Sequence, residues 1–430
     1  MDAERPQNIP TRSAGTRINE AMPFHTHRLP NGLTIIGETI PTARSVSVGF
    51  FTNTGSRDET AAESGVSHFL EHMVFKGTPR RSALDVNRDF DRIGASYNAY
   101  TSEEMTVFYA AVLPEYLPNA VDILADILRP SLRNEDFTTE KQVILEEIKM
   151  YEDQAGSMAW DNARKFYFGA HPLGQSILGS SESITALERD TMQAYFDKRY
   201  VGGNITVAVA GAFDWPEFLE LVKRHCSEWP AGEGGRSGVW AHAGPGGNFN
   251  VEKEGTAQQH LLCIASSAPA ESEWRYAAST LSIAIGDDSG SRLHWQLVDP
   301  GRVESASCGI DPSQGSGLLA ATFSCDPESA SENLEITQKV LAEVQRDGIT
   351  ESELEQAKNK IASRVVRASE RPSGRMRSIA GAWIYNGEYS DPDVELARFE
   401  AVDAKRIREY LERYPIDQLT VVGYGPLAKL

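Results

Sequence analysis

The 430-residue sequence has few cysteines and no concentrated positive charge. Its four cysteines include no C-x-x-C pair, so the sequence favours neither a disulfide framework nor a thiolate metal site. We interpret them as reduced thiols and expect a cytoplasmic protein. The net charge of −19, with no Lys/Arg cluster among aromatic residues, argues against nucleic-acid binding, because phosphate contacts require a basic face.

Long apolar stretches are also missing from the chain. A run of about 18 apolar residues, the length needed to span a bilayer, does not occur, so we expect no membrane helix. Residues 1–23 are polar and lack the apolar core of a secretory signal, and we expect a flexible N-terminal segment. The hydrophobic content of 40% is typical of a soluble globular protein, and the length predicts two domains.

A short histidine motif is the most informative pattern in the sequence. Residues 67–75 read S-H-F-L-E-H-M-V-F and contain H-x-x-E-H. On a helix, His68 and His72 lie one turn apart on the same face, where both imidazoles can reach one metal ion, and Glu71 lies beside that face. The pattern reverses H-E-x-x-H and is the inverzincin signature. It predicts a hydrolytic zinc site.

A zinc enzyme needs a third protein ligand and an open coordination position for water. The best source is an acidic helix predicted to start near Thr138. Glu140 and Glu147 are seven positions apart and share one face of this helix, whereas Glu146 points about 100° away and is expected to be solvated. An ordinary acidic surface helix explains the same spacing equally well, so the residues alone leave both interpretations open.

Two segments of the chain share a pattern of Arg-Tyr, a strand-like run and a glycine. The matched pairs, each 214 positions apart, are Arg199 and Arg413, Thr206 and Thr420, and Gly211 and Gly425. We interpret these segments as the last strands of two copies of one domain, the alternative being a chance likeness of two common helix–strand units. The predicted first domain is 24–230, the Gly-rich linker 231–248 and the second domain 249–430.

The same offset tests whether the second copy repeats the metal motif. It places Ser282, Ile285 and Gly286 opposite the two histidines and the glutamate. None of these three side chains is a usual zinc ligand. We therefore expect the first domain to carry the metal and the second to be metal-free.

Several further segments occur in an order typical of one known family. Besides E-x6-E from Glu140 to Glu147, they are R-L-P-N-G-L-T at 28–34, N-T-G-S-R-D-E at 53–59, E-S-G-V-S-H-F-L-E-H-M-V-F-K-G-T at 63–78, G-A-S-Y-N-A-Y-T-S-E-E-M-T-V-F-Y at 94–109 and H-P-L-G-Q-S-I-L-G at 171–179. On these segments the chain resembles the pitrilysin family of zinc peptidases, within it the branch of the mitochondrial processing peptidase beta subunit and its bacterial homologues. The resemblance implies an α+β fold of two homologous domains, each an antiparallel-rich sheet packed with helices, which form half of a clamshell chamber.

The resemblance also implies roles for individual residues. It implies one Zn²⁺ per chain, bound by His68, His72 and Glu147, with Glu71 as the general base and Glu140 as a carboxylate that orients the site. The implied reaction is hydrolysis of peptide bonds in short or unfolded polypeptides, by a metal-activated water and without a covalent intermediate.

The resemblance also points to a substrate-binding strand. Residues 96–102 are similar to the family's edge strand beside the zinc, which implies that Asn98 and Ala99 contact an extended peptide. Without the resemblance, the same run favours a plain solvent-facing edge strand with Asn98 at a bend.

One departure from the family concerns substrate anchoring. Members that act alone carry an Arg and a Tyr after the second domain's S-R-L segment, but here Val298 and Ser305 occupy those positions and Arg302 is out of register. We expect a homo- or heterodimer with a related chain, and favour a heterodimer whose partner supplies the Arg/Tyr pair. Alternatives are a zinc-bearing subunit that is inactive alone, a non-catalytic structural subunit, and a metal-dependent amidase acting on small molecules.

Overall fold

The computed structural model describes residues 23–236 and 239–430, so the predicted flexible segment lies outside the described residues except for its last position. In these two ranges no helix combines the length and apolarity needed to cross a bilayer. The chain forms two mixed sheets, each packed with helices, and the predicted α+β fold of two similar domains is confirmed.

The first sheet contains six strands in the order β1-β2-β6-β3-β5-β4. Neighbouring strands are antiparallel except β2 and β6, which are parallel. The strands are β1 (Phe24–Arg28), β2 (Thr34–Thr39), β3 (Val46–Thr52), β4 (Ser96–Thr101), β5 (Thr106–Val112) and β6 (Ile205–Gly211). All residues of the central strand β3 are buried. Val46, Val48 and Phe50 face the core of the first half, and the residues between them face the other side of the sheet.

The second sheet contains five strands in the order β7-β11-β8-β10-β9. Only β7 and β11 are parallel. The strands are β7 (Gly247–Glu252), β8 (Gln259–Ser267), β9 (Ala306–Ser313), β10 (Ser316–Cys325) and β11 (Thr420–Gly425). This is the arrangement of the first sheet without β1, and Thr206 of β6 corresponds to Thr420 of β11 as the offset predicts.

Helices cover both sheets. Those preceding β7 are α1 (Val66–Val74), α2 (Ala83–Arg92), α3 (Leu117–Ile127), α4 (Asn134–Glu152), α5 (Ala155–Phe168), α6 (Ser181–Ala186), α7 (Arg189–Arg199) and α8 (Trp215–Cys226). Those following β8 are α9 (Arg275–Gly286), α10 (Ala330–Asp347), α11 (Glu351–Ser369), α12 (Pro372–Asn386), α13 (Pro392–Glu400) and α14 (Ala404–Arg413). The acidic helix α4 starts four residues before the predicted Thr138.

The two halves exchange one helix each. Helix α5 of the first half packs on β8, β10 and β11 through residues such as Ala163 and Tyr167. Helix α12 of the second half packs on β2, β3 and β6 through Met376 and Ile379. Each sheet thus has one face in its own core and one face covered by a helix from the other half.

Ion pairs made by arginines with buried side chains hold the exchanged helices and the segment between α8 and β7, called here the connecting segment. Arg375 of α12 pairs with Glu38 of β2, and Arg164 of α5 pairs with Asp311 of β9. In the connecting segment, the buried Arg236 pairs with Asp58. The predicted linker 231–248 ends inside β7. The predicted domain limits remain predictions, because α5 and α12 each pack on the sheet of the other half.

Candidate metal centre

Helix α1, which carries the histidine motif, has a fixed start. Its N-cap Gly65 has a φ of 89°, and a Cβ there would lie 2.6 Å from the carbonyl oxygen of Leu178. The Glu59 carboxylate accepts the backbone N–H groups of Gly65 at 2.7 Å and Ser67 at 2.8 Å. A carboxylate at this end also interacts favourably with the helix dipole. These contacts place the next residue, His68, at a defined position.

Three side chains converge beside α1. The rings of His68 and His72 are 4.7 Å apart, and Glu147 of α4 reaches both from the side. Its two carboxylate oxygens lie 3.7 Å from Nε2 of His68 and 3.5 Å from Nε2 of His72. Among the described residues, this is the only group of three or more His, Cys, Asp or Glu side chains whose ligand atoms converge, here within 4.8 Å.

The group fits a zinc ion in donor type and in spacing. Two imidazole nitrogens and one carboxylate oxygen are common zinc ligands, and at bond lengths of about 2.0–2.2 Å tetrahedral donors lie about 3.3–3.5 Å apart. The observed separations between Nε2 atoms and carboxylate oxygens are close to this range. Burial, with a smaller contribution from the neighbouring His72, lowers the pKa of His68 to about 3, so His68 stays neutral with a lone pair to donate.

A second carboxylate orients His72. Nδ1 of His72 lies 2.9 Å from Oε1 of the buried Glu140, so Nδ1–H can donate there and leave the Nε2 lone pair facing Glu147. Burial lowers the pKa of His72, but the Glu140 hydrogen bond and the charges of the surrounding carboxylates outweigh it and raise the pKa. Glu140 also pairs with Lys76; burial raises the Glu140 pKa, but the bonds from His72 and Lys76 lower it overall.

Glu71 lies next to His68, His72 and Glu147 but is not one of the converging side chains. Its Oε2 accepts a 2.6 Å hydrogen bond from the hydroxyl of Thr101 in β4. Burial raises the Glu71 pKa, whereas the bond from Thr101 and the charge of His72 lower it. A carboxylate with a raised pKa accepts a proton more readily than an ordinary glutamate, as a general base requires.

A cavity of about 290 Å³ connects these side chains with the edge strand. Its lining includes His68, Glu71, Ala99, Tyr100, Thr101, Tyr151, Asp161, Ser176, Ile177 and Leu178. A second cavity of about 530 Å³ adjoins it and shares Tyr151, Asp161, Ser176 and Leu178 as a common wall. Together the two cavities have the size of an ordinary ligand-binding cleft.

Strand β4 lies at the edge of the first sheet, with β5 as its neighbour among the described residues. The N–H of Ser102 donates to the carbonyl of Met105 at the turn that follows. Because hydrogen-bonded and non-hydrogen-bonded pairs alternate in an antiparallel ladder, Ala99 and Thr101 direct their backbone groups to the free edge. The side-chain oxygen of Asn98 accepts the Ala99 N–H at 2.9 Å, so this outward N–H is already hydrogen-bonded at the edge.

The second half has no such site within the described residues. Ser282, Ile285 and Gly286 lie at the end of α9, as the 214-residue offset predicts. Sheet register makes Cys308 of β9 the counterpart of Ala99. A Cβ on Gly286 would meet the backbone of Cys308, so α9 packs directly on its edge strand where the first half has a cavity.

Val298 and Ser305, which stand where the family carries its Arg and Tyr, also lie in the second half. Val298 ends a π-helical turn, His294–Val298, and Ser305 lines a small cavity beside Ser307 and His260. Arg302, which is out of register in the sequence, pairs with Glu332.

Three contacts of the site were not predicted from the sequence: those of Thr101, Lys76 and Glu59. Thr101 lies within the predicted edge strand, and period-two alternation from Ala99 places it on the same face, which would have singled it out. Lys76 is four positions after His72, so helical spacing brings it to the same side. The Glu59 contact joins a loop to α1, and no local pattern signals it.

Models of known protein families match most of the chain. The model described as insulinase, peptidase family M16, matches residues 34–181. The model described as the peptidase M16 inactive domain matches residues 186–361. The first match contains His68, His72 and Glu147, and the second contains α9 and β9.

Individual proteins resemble the chain over nearly its whole length. A protein of Mycobacterium tuberculosis named uncharacterized zinc protease is 33% identical over 407 residues, 93% of this chain and 92% of its own. One of the same description from Bacillus subtilis is 33% identical over 383 residues, 88% of this chain and 92% of its own. Among solved structures, a protease from Helicobacter pylori superimposes with a TM-score of 0.86 at 20% identity, covering 94% of this chain and 99% of that one.

Proposed function

Because the chain belongs to peptidase family M16, the insulinase family, we propose that it is a zinc-dependent endopeptidase that hydrolyses short or unfolded polypeptides. The observation that carries this proposal is the convergence of two imidazole nitrogens and a carboxylate oxygen beside a second carboxylate, Glu71, which lines a cavity together with His68 and the edge strand β4. The zinc-protease names of the relatives support the choice of metal.

In this proposal each side chain of the site has one task. His68, His72 and Glu147 bind one zinc ion per chain, and Glu140 holds the His72 ring in place. The bound ion supplies Lewis acidity and brings the pKa of a water molecule to about 7. Glu71 accepts a proton from the attacking water and passes it to the leaving amine nitrogen.

The substrate approaches as an extended strand. The backbone groups of Ala99 and Thr101 face outward from β4. Once the Asn98 side chain releases the Ala99 N–H, a peptide can add to the sheet by main-chain hydrogen bonds, which tolerate many sequences. A folded protein cannot offer a free strand to this edge, which is the reason for a preference for unfolded chains. Four free, buried thiols fit a reducing compartment, and we place the reaction in the cytoplasm.

We further propose that a related chain completes the site. Val298 and Ser305 cannot grip a substrate backbone as a guanidinium and a phenol would, so one chain provides metal chemistry without the family's anchor pair. A heterodimer with a chain that carries Arg and Tyr would close a chamber around the peptide. Full activity of the purified, monodisperse single chain would contradict this part of the proposal.

The main experiment measures cleavage of a quenched fluorogenic peptide by zinc-loaded protein, with and without a chelator. Chelation is expected to remove activity, and restored Zn²⁺ to return it. Glu71→Gln is expected to bind one equivalent of zinc and to lose turnover, because the carboxamide cannot accept the proton. Glu146→Gln, on the exposed side of α4, is the matched control and is expected to behave as the wild type.

Results of this experiment separate the proposal from its alternatives. Turnover that persists in Glu71→Gln would remove Glu71 from its role. Cleavage of small-molecule amides without cleavage of peptides would indicate an amidase. A chain that binds zinc but cleaves nothing, alone or with an Arg/Tyr-bearing relative, would indicate a structural subunit.

A further inference from the structure

Thr101 connects the strand edge with the carboxylate beside the metal group. Its hydroxyl donates to Oε2 of Glu71 at 2.6 Å, one of the shortest hydrogen bonds in the site. A hydrogen bond to a carboxylate is stronger than one between neutral groups. Oε1 of Glu71 has no hydrogen-bond partner among the described side chains and remains available to the cavity that both residues line.

The backbone of the same residue belongs to the free edge of the sheet. Thr101 stands opposite Thr106 in a non-hydrogen-bonded pair, so its N–H and C=O point away from β5. Ala99, two residues earlier, is directed the same way. A peptide strand that pairs with Ala99 therefore meets the backbone of Thr101 as its next partner.

We propose that Thr101 is a positioning residue that couples docking of a peptide strand to the orientation of Glu71. The inference rests on the proposed peptidase function and deepens it. When the added strand fixes the Thr101 backbone, the hydroxyl holds Oε2 and turns Oε1 toward the site where the proton is taken. Without the hydroxyl, the carboxylate can rotate, and fewer molecules have the productive geometry.

The test compares Thr101→Val with Thr101→Ser in the full-length, zinc-loaded protein. Valine keeps the shape and removes the donor, whereas serine keeps the donor and removes a methyl group. Thr26→Val is the matched control, because Thr26 is exposed on β1, the opposite edge of the same sheet. The measurements are zinc content, kcat and KM on a quenched fluorogenic peptide, the pH profile of kcat, and crystal structures of the zinc-loaded variants.

The expected result is a selective loss in the valine variant. Thr101→Val should lower kcat by about 10–100-fold, the usual effect of removing a partner that orients a site, with zinc content unchanged and KM within about twofold. Its pH profile should shift on the limb assigned to the base. Thr101→Ser and Thr26→Val should stay within about threefold of wild type in kcat.

Other results would overturn the inference. Equal losses in Thr101→Val and Thr101→Ser would show that the methyl packing matters and the hydroxyl does not. An unchanged kcat and pH profile in Thr101→Val, or loss of zinc, would also contradict it.

The crystal structures separate this inference from the proposed function. If the wild type cleaves no peptide, the proposed function fails, but the position of the Glu71 carboxylate still decides the role of Thr101. The inference requires this carboxylate to be rotated in Thr101→Val and unchanged in Thr101→Ser. The same carboxylate position in both variants would refute it.

Discussion

At the scale of single residues, Glu140 is the clearest case of a side chain that acts through another. Its carboxylate is buried. One oxygen accepts a hydrogen bond from Nδ1 of His72, and the other pairs with Lys76. A fixed imidazole keeps its Nε2 lone pair aimed at one point, which lowers the entropic cost of binding a metal. We therefore expect Glu140 to affect zinc binding without touching the ion.

Replacing Glu140 by leucine should weaken zinc binding and leave the fold intact. We expect the zinc dissociation constant to rise by about 10–100-fold, because the His72 ring loses its partner. Competition with a chromophoric chelator measures this constant. Glu146→Leu, six positions along the same helix and exposed, should bind zinc as the wild type does. Equal affinity in both variants would show that Glu140 has no orienting role.

The buried environment of His171 is expected to make the free energy of unfolding depend on pH. Its Nδ1 accepts the Leu173 N–H, and its Nε2 lies 3.2 Å from the Trp240 carbonyl in the connecting segment. Burial lowers the pKa of His171, Arg57 and His242 lower it further, and the bond to Trp240 opposes them. The folded state thus resists protonation at a nitrogen that already accepts a hydrogen bond.

The sign of this effect follows from proton linkage. An unfolded histidine titrates near 6.5, above the folded pKa, so lowering the pH through 6.5 adds protons mainly to the unfolded state and reduces the free energy of unfolding. His171→Asn keeps an acceptor for Leu173 and does not titrate. Urea unfolding between about pH 7.5 and pH 5.5 should show a smaller loss in this variant than in the wild type. Parallel losses would exclude His171 as a source.

At the scale of elements, helical spacing explains how much of the site could be predicted. His68 and His72 on α1, and Glu140 and Glu147 on α4, each share a face, and the structure brings the four side chains together as the spacings suggest. The spacing could not decide between a ligand helix and a solvated acidic helix, because that depends on what lies opposite α4. The contact between Thr101 and Glu71 joins different elements, so no local pattern contains it.

The exchanged helix α12 depends on one buried ion pair. Arg375 donates to Glu38 with Nε at 2.7 Å, and both side chains are almost fully buried. Tyr389 adds a hydrogen bond to the same carboxylate. Removal of one partner leaves the other charge buried and uncompensated.

Arg375→Met should therefore lower the free energy of unfolding by about 3–5 kcal/mol. The double variant Glu38→Leu, Arg375→Met should recover most of this loss, since it leaves no unpaired charge. Urea denaturation of the wild type, of Glu38→Leu and Arg375→Met alone, and of the double variant measures the coupling. If the single and double variants are equally destabilised, packing rather than charge compensation fixes α12.

At the scale of the whole molecule, the two halves are similar in strand order but not independent. The 214-residue offset predicts the duplication, because Thr206, Val207 and Gly211 match Thr420, Val421 and Gly425 in the corresponding strands β6 and β11. The exchange of α5 and α12 could not be read from the sequence, since an apolar helix face does not indicate which sheet covers it. A cut between the halves therefore separates each helix from its sheet.

Neither half should fold when it is produced alone. A fragment of residues 23–236 would expose the apolar face of α5 and the sheet face that α12 covers, and the fragment of 239–430 would expose the reciprocal surfaces. We expect each fragment to aggregate or to bind a hydrophobic dye, and the two co-expressed fragments to form a soluble complex that binds zinc. Circular dichroism and dye binding measure folding, and zinc content measures the site. A first fragment that is monomeric, cooperatively folded and zinc-binding on its own would show that the exchanged helices are dispensable, because its metal group lies entirely within residues 68–147.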